Sequence, residues 1–196
     1  KYNILGSEKK LYKEILRPIE NSIRDEIDID NFLIKDDNFT DIKNLEFIEI
    51  YNNDYVFKKG IWNINSDLKI PRNKKLIING GTKIILSNGA KIISKSPIIA
   101  KGFINNKIYF ESSIDFPGQC ILIMDTKEVS IFDNVEFNQL QNCKNGIINS
   151  EGALNVYKSK IRMKNIIFKN NTSGDDGLNF INSEFKLKNI ELENIF

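Results

Sequence analysis

The feature that most constrains this chain is a repeat of about two dozen residues. The stretch "SEGALNVYKSKIRMKNIIFKNN" begins at Ser150, and "GDDGLNFINSEFKLKNIELENI" begins at Gly174. Superposed, Leu154 falls on Leu178, Asn155 on Asn179, Ser159 on Ser183, Asn165 on Asn189 and Asn170 on Asn194. A looser copy, "SIFDNVEFNQ", puts Asn134, Val135 and Phe137 in the roles of Asn165, Ile166 and Phe168. The "QLQNCKNG" that follows reads as a loop inserted into the repeat. A unit this short cannot bury its own apolar face, but stacked copies bury a continuous core.

Apolar and polar residues alternate within each copy, as in Ile161-x-Met163 and Ile166-x-Phe168, then Phe185-x-Leu187 and Ile190-x-Leu192. Period two argues strands. Asparagine between the runs argues bends, because it tolerates left-handed backbone angles and bonds its own main chain. Three short strands per repeat make one coil of a right-handed parallel β-helix. Upstream, "DLKIP", "KLIING", "TKIILS" and "AKIIS" supply further strands, with the first coil at Tyr55 to Ile64. Helical spacing appears only near the start, where Leu11, Ile15, Ile19 and Ile23 recur every fourth residue around Pro18. A coil stack needs its end covered. Residues 1–54 are therefore read as a partly helical N-terminal cap and residues 55–196 as the β-helix, cut off before its last coils.

Composition removes several chemistries. There is no histidine, so the usual general base and every Ser-His or Cys-His nucleophile are absent. Two cysteines cannot close a four-cysteine zinc site. A net charge of +2 with scattered lysines gives no reason to expect nucleic acid. No apolar run is long enough to span a membrane.

The segments "GIWNINSDLKIP", "GTKIILSNGAKIISKSPIIAKG" and "SGDDGLNFINSEFKLKNIELEN" resemble right-handed parallel β-helix proteins of the pectate-lyase-like superfamily. They are similar in particular to β-helix segments of bacterial surface or secreted proteins, some fused to spore-coat-protein-H-type kinase domains. The resemblance implies an extracytoplasmic protein, with polysaccharide as a partner and a fused or neighbouring catalytic domain as another. The superfamily includes lyases, glycoside hydrolases and epimerases, so two functions follow. One is a non-catalytic module presenting a carbohydrate-binding face. The other is a polysaccharide-active enzyme whose site lies partly beyond this segment.

Three groups of residues could carry chemistry. In the repeat, Glu151 falls over Asp175 and Gly152 over Asp176. Stacked strands lie about 4.8 Å apart, so Glu151 and Asp175 could share a calcium ion, the one cofactor the segment suggests. Asp175, Asp176 and Glu151 are also the only catalytic candidates. Polygalacturonase-like hydrolases carry a similar aspartate pair but add a histidine motif that is missing here. The simpler reading of "SGDDG" is a bend. Next, Lys160, Arg162 and Lys186, with Lys158, form an outward basic column that could bind an acidic polymer; a solvated face is the plainer alternative. Last, three asparagine columns (Asn155/Asn179, Asn165/Asn189 and Asn170/Asn194) predict amide ladders between coils. Phe132, Phe137, Phe168, Phe180 and Phe185 are assigned to the core, and Trp62 to packing against the cap. Cys120 and Cys143 lie almost one repeat apart, so a bridge is conceivable, but a buried free thiol at Cys120 is the expectation.

Overall fold

The computed structural model describes residues 40–145, 148–171 and 176–195, all within the unit Asn38–Phe196. The helical spacing between Leu11 and Ile23, and Asp175, lie outside the described residues. After a lead strand β1 (Ile48–Tyr51), the chain winds as a parallel β-helix with three faces. The first coil is β2 (Asp54–Phe57), β3 (Ile61–Ile64) and β4 (Leu68–Ile70). The second is β5 (Leu76–Asn79), β6 (Lys83–Leu86) and β7 (Ile92–Ser94), and the third is β8 (Ile98–Lys101), β9 (Ile108–Ser112) and β10 (Ile121–Met124). In the fourth, β11 (Val129–Asn138) covers two faces, a hairpin of β12 (Cys143–Asn145) and β13 (Ile148–Ser150) intervenes, and β14 (Gly152–Tyr157) completes the coil. The fifth is β15 (Lys160–Lys169) and β16 (Asp176–Ile181), followed by β17 (Glu184–Glu193).

β2, β5, β8 and the first halves of β11, β15 and β17 stack as the first face. β3, β6, β9 and the second halves of the long strands form the second face. The third face is β4, β7, β10, β14 and β16. Along this third face the register runs Leu68, Ile92, Ile121, Leu154, Leu178. The first and last steps, Leu68 to Ile92 and Leu154 to Leu178, are equal and keep the strict period. The two steps between them are longer, because the middle coils carry insertions at their corners.

Alternation puts one side of every strand into a shared core. On the second face Ile84, Phe110, Phe137 and Phe168 form one fully buried column. Its phenylalanines lie almost parallel, with centroids 5.3 Å apart for Phe110–Phe137 and 4.6 Å for Phe137–Phe168. Phe132 is also fully buried, whereas Phe185 is 56 % exposed and stacks on Phe180 at 4.3 Å.

The long strands turn from the first face to the second at a single residue. Asn134, Asn165 and Asn189 each have φ of 54°. One left-handed residue shifts the alternation, so Phe132 and Val135 both point inward. A side chain with a Cβ is disfavoured there by about 1–2 kcal/mol, and asparagine tolerates it best. Its amide also bonds across coils: Asn189 Nδ2 donates to Asn165 Oδ1 at 2.9 Å, and Asn165 Nδ2 donates to Asp133 Oδ1 at 3.3 Å. A second ladder runs from Asn194 to Asn170 (3.0 Å) and on to Asn138 (2.9 Å). The third expected ladder is not one. Asn155 and Asn179 are in register, but both bond to Ser150 instead of to each other.

The described N-terminal residues close the start of the sheets. β1 pairs antiparallel with β2, and Phe47 stacks on Phe57 at 5.3 Å and against Trp62 at 6.2 Å. At the free edge of β4, the Thr40 hydroxyl accepts from the Lys69 amide (2.8 Å) and donates to Asp67 O (3.0 Å). Thr40 thus pairs two of the backbone groups that an edge strand would otherwise offer to another chain. A short 3-10 turn at Ile42–Asn44 is the only helix among the described residues.

Candidate functional site

The basic column lies on the outside of the first face. Ile161 and Met163 are buried in the core, which turns Lys160, Arg162 and Lys164 to solvent. One coil on, Glu184, Lys186 and Lys188 lie in register with those three. Lys160 and Glu184 pair at 2.9 Å, and Lys164 reaches Asp133 at 3.8 Å. Arg162 directly overlies Lys186, and Lys164 overlies Lys188. Upstream, the Arg162 column continues as Ile131, Ile99 and Ile77, all half-buried. That column therefore changes from aliphatic to cationic along the solenoid, while the Lys164 column beside it continues upstream as Asp133, Lys101 and Asn79. Lys158, the remaining basic candidate, sits at the preceding corner with its ammonium 5.3 Å from the Tyr157 ring centroid.

The second face carries charges that are already matched. Lys83 pairs with Glu111 at 2.7 Å, while the buried Glu136 binds Lys169 and lies 3.7 Å from Lys107. The hydrogen bond from Lys169 to Glu136 holds the lysine pKa above its ordinary 10.5, against the opposing effect of burial. Satisfied ion pairs of this kind stabilise a surface more readily than they recognise a ligand.

The acidic group belongs to the corner before the third face. Gly152 pairs with Asp176 across coils, and Glu151 and Asp176 are both exposed. Asp175, their expected partner, lies outside the described residues. Among the described residues no group of three or more histidine, cysteine, aspartate or glutamate side chains is placed to hold a metal ion.

The cysteines depart from expectation. Cys120 is not a free thiol but is bridged to Cys143, with Cα atoms 5.2 Å apart. The inserted loop folds back as the β12–β13 hairpin and brings Cys143 onto the outward side of the third face. The residue one coil above Cys120 is Ala153, as the Ile121–Leu154 pairing requires. The bridge therefore depends on the hairpin and not on a separation of one coil. Ser150, at the end of the hairpin, donates to Asn155 Oδ1 within its own coil and accepts from Asn179 Nδ2 of the next coil at 3.1 Å, so the same element also ties the fourth coil to the fifth.

Compared with protein-family models, curated proteins and solved structures, the chain has no match. Lys160, Arg162 and Lys186 are brought together on one face, joined by two lysines that sequence reasoning passed over. Lys164 and Lys188 continue the same alternation, Lys160-x-Arg162-x-Lys164 and Lys186-x-Lys188, and that spacing was the available signal.

Proposed function

We propose that this β-helix is a non-catalytic module of an extracytoplasmic bacterial protein, related to the pectate-lyase-like superfamily, which presents its first face to an acidic polysaccharide. The observation that carries the reading is the register of Arg162 over Lys186 and Lys164 over Lys188. Cations repeated at the strand spacing of about 4.8 Å make a linear array, suited to a polymer with regularly spaced carboxylates or sulfates. Of these four, only Lys164 has an ion-pair partner among the described residues, Asp133 at 3.8 Å. The Cys120–Cys143 bridge supports the compartment, because disulfides persist chiefly in oxidising environments.

A glycan array, read with calcium present and absent, tests the reading. Acidic polysaccharides should be retained over neutral ones, and retention should weaken as salt screens the charges. The double variant Arg162→Ala/Lys186→Ala should lose about tenfold in affinity, since two exposed charges contribute on the order of 1 kcal/mol. Equal retention of neutral and acidic polymers would sink the proposal, as would indifference to the double variant.

A further inference from the structure

At the corner where the third face turns into the first, the loops of three successive coils enclose a pocket of about 380 Å³. The pocket brings Arg72, Lys74, Lys95 and Lys127 together with Asp125 and Glu128. Its walls are set by the backbone. Asn73 (φ 66°) and Asp125 (φ 49°) are left-handed residues that throw the chain outward at their corners. Ser96 locks the coil between them, accepting from the Lys74 amide at 3.1 Å and donating to Pro71 O at 2.6 Å.

The two carboxylates are engaged and the cations outnumber them. Arg72 donates to Asp125 O at 3.1 Å and to its carboxylate at 2.5 Å, which neutralises Asp125 and fixes the guanidinium. Glu128 is drawn to Lys75 at 3.1 Å, a lysine outside the lining. The Lys74 ammonium donates to the neutral side-chain oxygen of Asn53. Lys127 is exposed and has no ion-pair partner among the described residues. Lys74 and Lys127 thus bring positive charge to one cavity whose own acids are already paired, and like charges repel unless an anion joins them.

We propose that this corner pocket binds one anionic group, a carboxylate or a sulfate ester, carried on a single sugar ring. The volume lies near the lower end of the range of about 300–1,000 Å³ typical of small-molecule sites, which suits one ring and its charged substituent. Because the Arg72 fork is committed to Asp125, recognition falls to lysine ammoniums. These act as point charges and do not demand the bidentate geometry that would separate carboxylate from sulfate. The pocket lies on the first coils and the basic face on the last, so this inference goes beyond the polymer-binding reading and does not depend on it.

Amide chemical shifts of the whole chain, followed during titration with glucuronate, glucose 6-sulfate, glucose and inorganic sulfate, test the site. Monosaccharides are too short to bridge pocket and face. Glucuronate and glucose 6-sulfate should move the amides of Asn73, Ser96 and Lys127, and glucose should not. Lys74→Ala/Lys127→Ala, a change at the surface, should weaken both charged sugars about tenfold, while Arg162→Ala/Lys186→Ala leaves them unchanged. Equal response to glucose and glucuronate, or shifts that survive the lysine double variant, would overturn the proposal. Inorganic sulfate binding as tightly as glucose 6-sulfate would overturn its sugar component. Loss of polymer binding with intact monosaccharide shifts would count against the first-face reading alone.

Discussion

The corner between the first and second faces is built in two ways in the two halves of the molecule. In the upstream coils it is glycine. A Cβ at Gly80 would lie 2.5 Å from Asn106 O, and one at Gly102 would lie 2.5 Å from Asn134 O. In the downstream coils it is Asn134, Asn165 and Asn189, with their amides reaching across coils. The first solution removes the side chain so that neighbouring backbones can approach. The second keeps the side chain and makes it a rung. The consequence is visible in strand length: β5 and β6 are four residues each, whereas β11, β15 and β17 run ten residues around the corner without a break. The inward column of the second face changes one coil earlier than the corner does, from Ile84 to a phenylalanine stack that starts at Phe110, in the Gly102 coil, and continues through Phe137 and Phe168.

The largest expected effect falls on that stack. Phe137 is fully buried between two parallel rings, so Phe137→Ala should lose about 3–5 kcal/mol, through both volume and ring contacts. Ile84→Ala, in the same inward column upstream, should fall in the lower half of about 2–5 kcal/mol. Denaturant unfolding of the two variants compares the halves directly. Equal losses would mean that the aromatic stack adds nothing beyond the space it fills.

The corners come next. Gly102→Ala forces a methyl against the Asn134 carbonyl and should cost about 1–3 kcal/mol as overpacking. Asn165→Ala should cost about as much by a different route, since it leaves a Cβ in a left-handed conformation and removes two cross-coil hydrogen bonds. Asn165→Gly separates these parts: it relieves the backbone but not the ladder, and should recover about 1 kcal/mol. If the glycine variant is no more stable than the alanine variant, the ladder alone holds the corner.

These two ways of making a corner also decide what can be read from the sequence. Asn165 over Asn189 and Asn170 over Asn194 are legible because the same side chain must recur at the coil period to make a rung. Upstream, the corner needs only the absence of a side chain: Gly80 and Gly102 each directly follow the strand before the corner, but the strand after it begins at Lys83 in one coil and only at Ile108 in the next. The insertions hide the period further, since they lengthen the steps from Ile92 to Ile121 and from Ile121 to Leu154. Cys120 and Cys143 mislead differently: their separation of 23 residues is close to one repeat, yet the bridge is made through a folded-back hairpin and not between stacked coils. Asn155 and Asn179 mislead in the opposite sense: identical residues in register promise a ladder, but a serine from the corner intervenes. Of the basic face, the outward direction of Lys160, Arg162 and Lys186 follows from alternation alone. The corner pocket does not, because its lining comes from three coils whose corners are far apart in sequence.

The smallest effect separates two ion pairs, one set into the second face and one on the outer corner. Lys169 lies against the buried Glu136, and its pKa is raised above 10.5 chiefly by the hydrogen bond to that carboxylate. Lys75 is raised by its hydrogen bond to Glu128 in the same direction, but that pair is open to water and screened. A lysine whose folded pKa is raised binds its proton more tightly folded than unfolded. Its stabilisation is therefore fully present below 10.5 and is lost as pH rises through the higher folded value. Glu136→Gln should accordingly lower stability by about 1 kcal/mol near neutrality, and the gap to the native chain should narrow once pH climbs past the lysine range. Glu128→Gln should leave the denaturation midpoint where it was at every pH. Midpoints measured for the three proteins from neutral pH to alkaline pH decide the matter. A gap for Glu136→Gln that stays constant through the alkaline range would show that Glu136 acts through packing and not through the charge on Lys169.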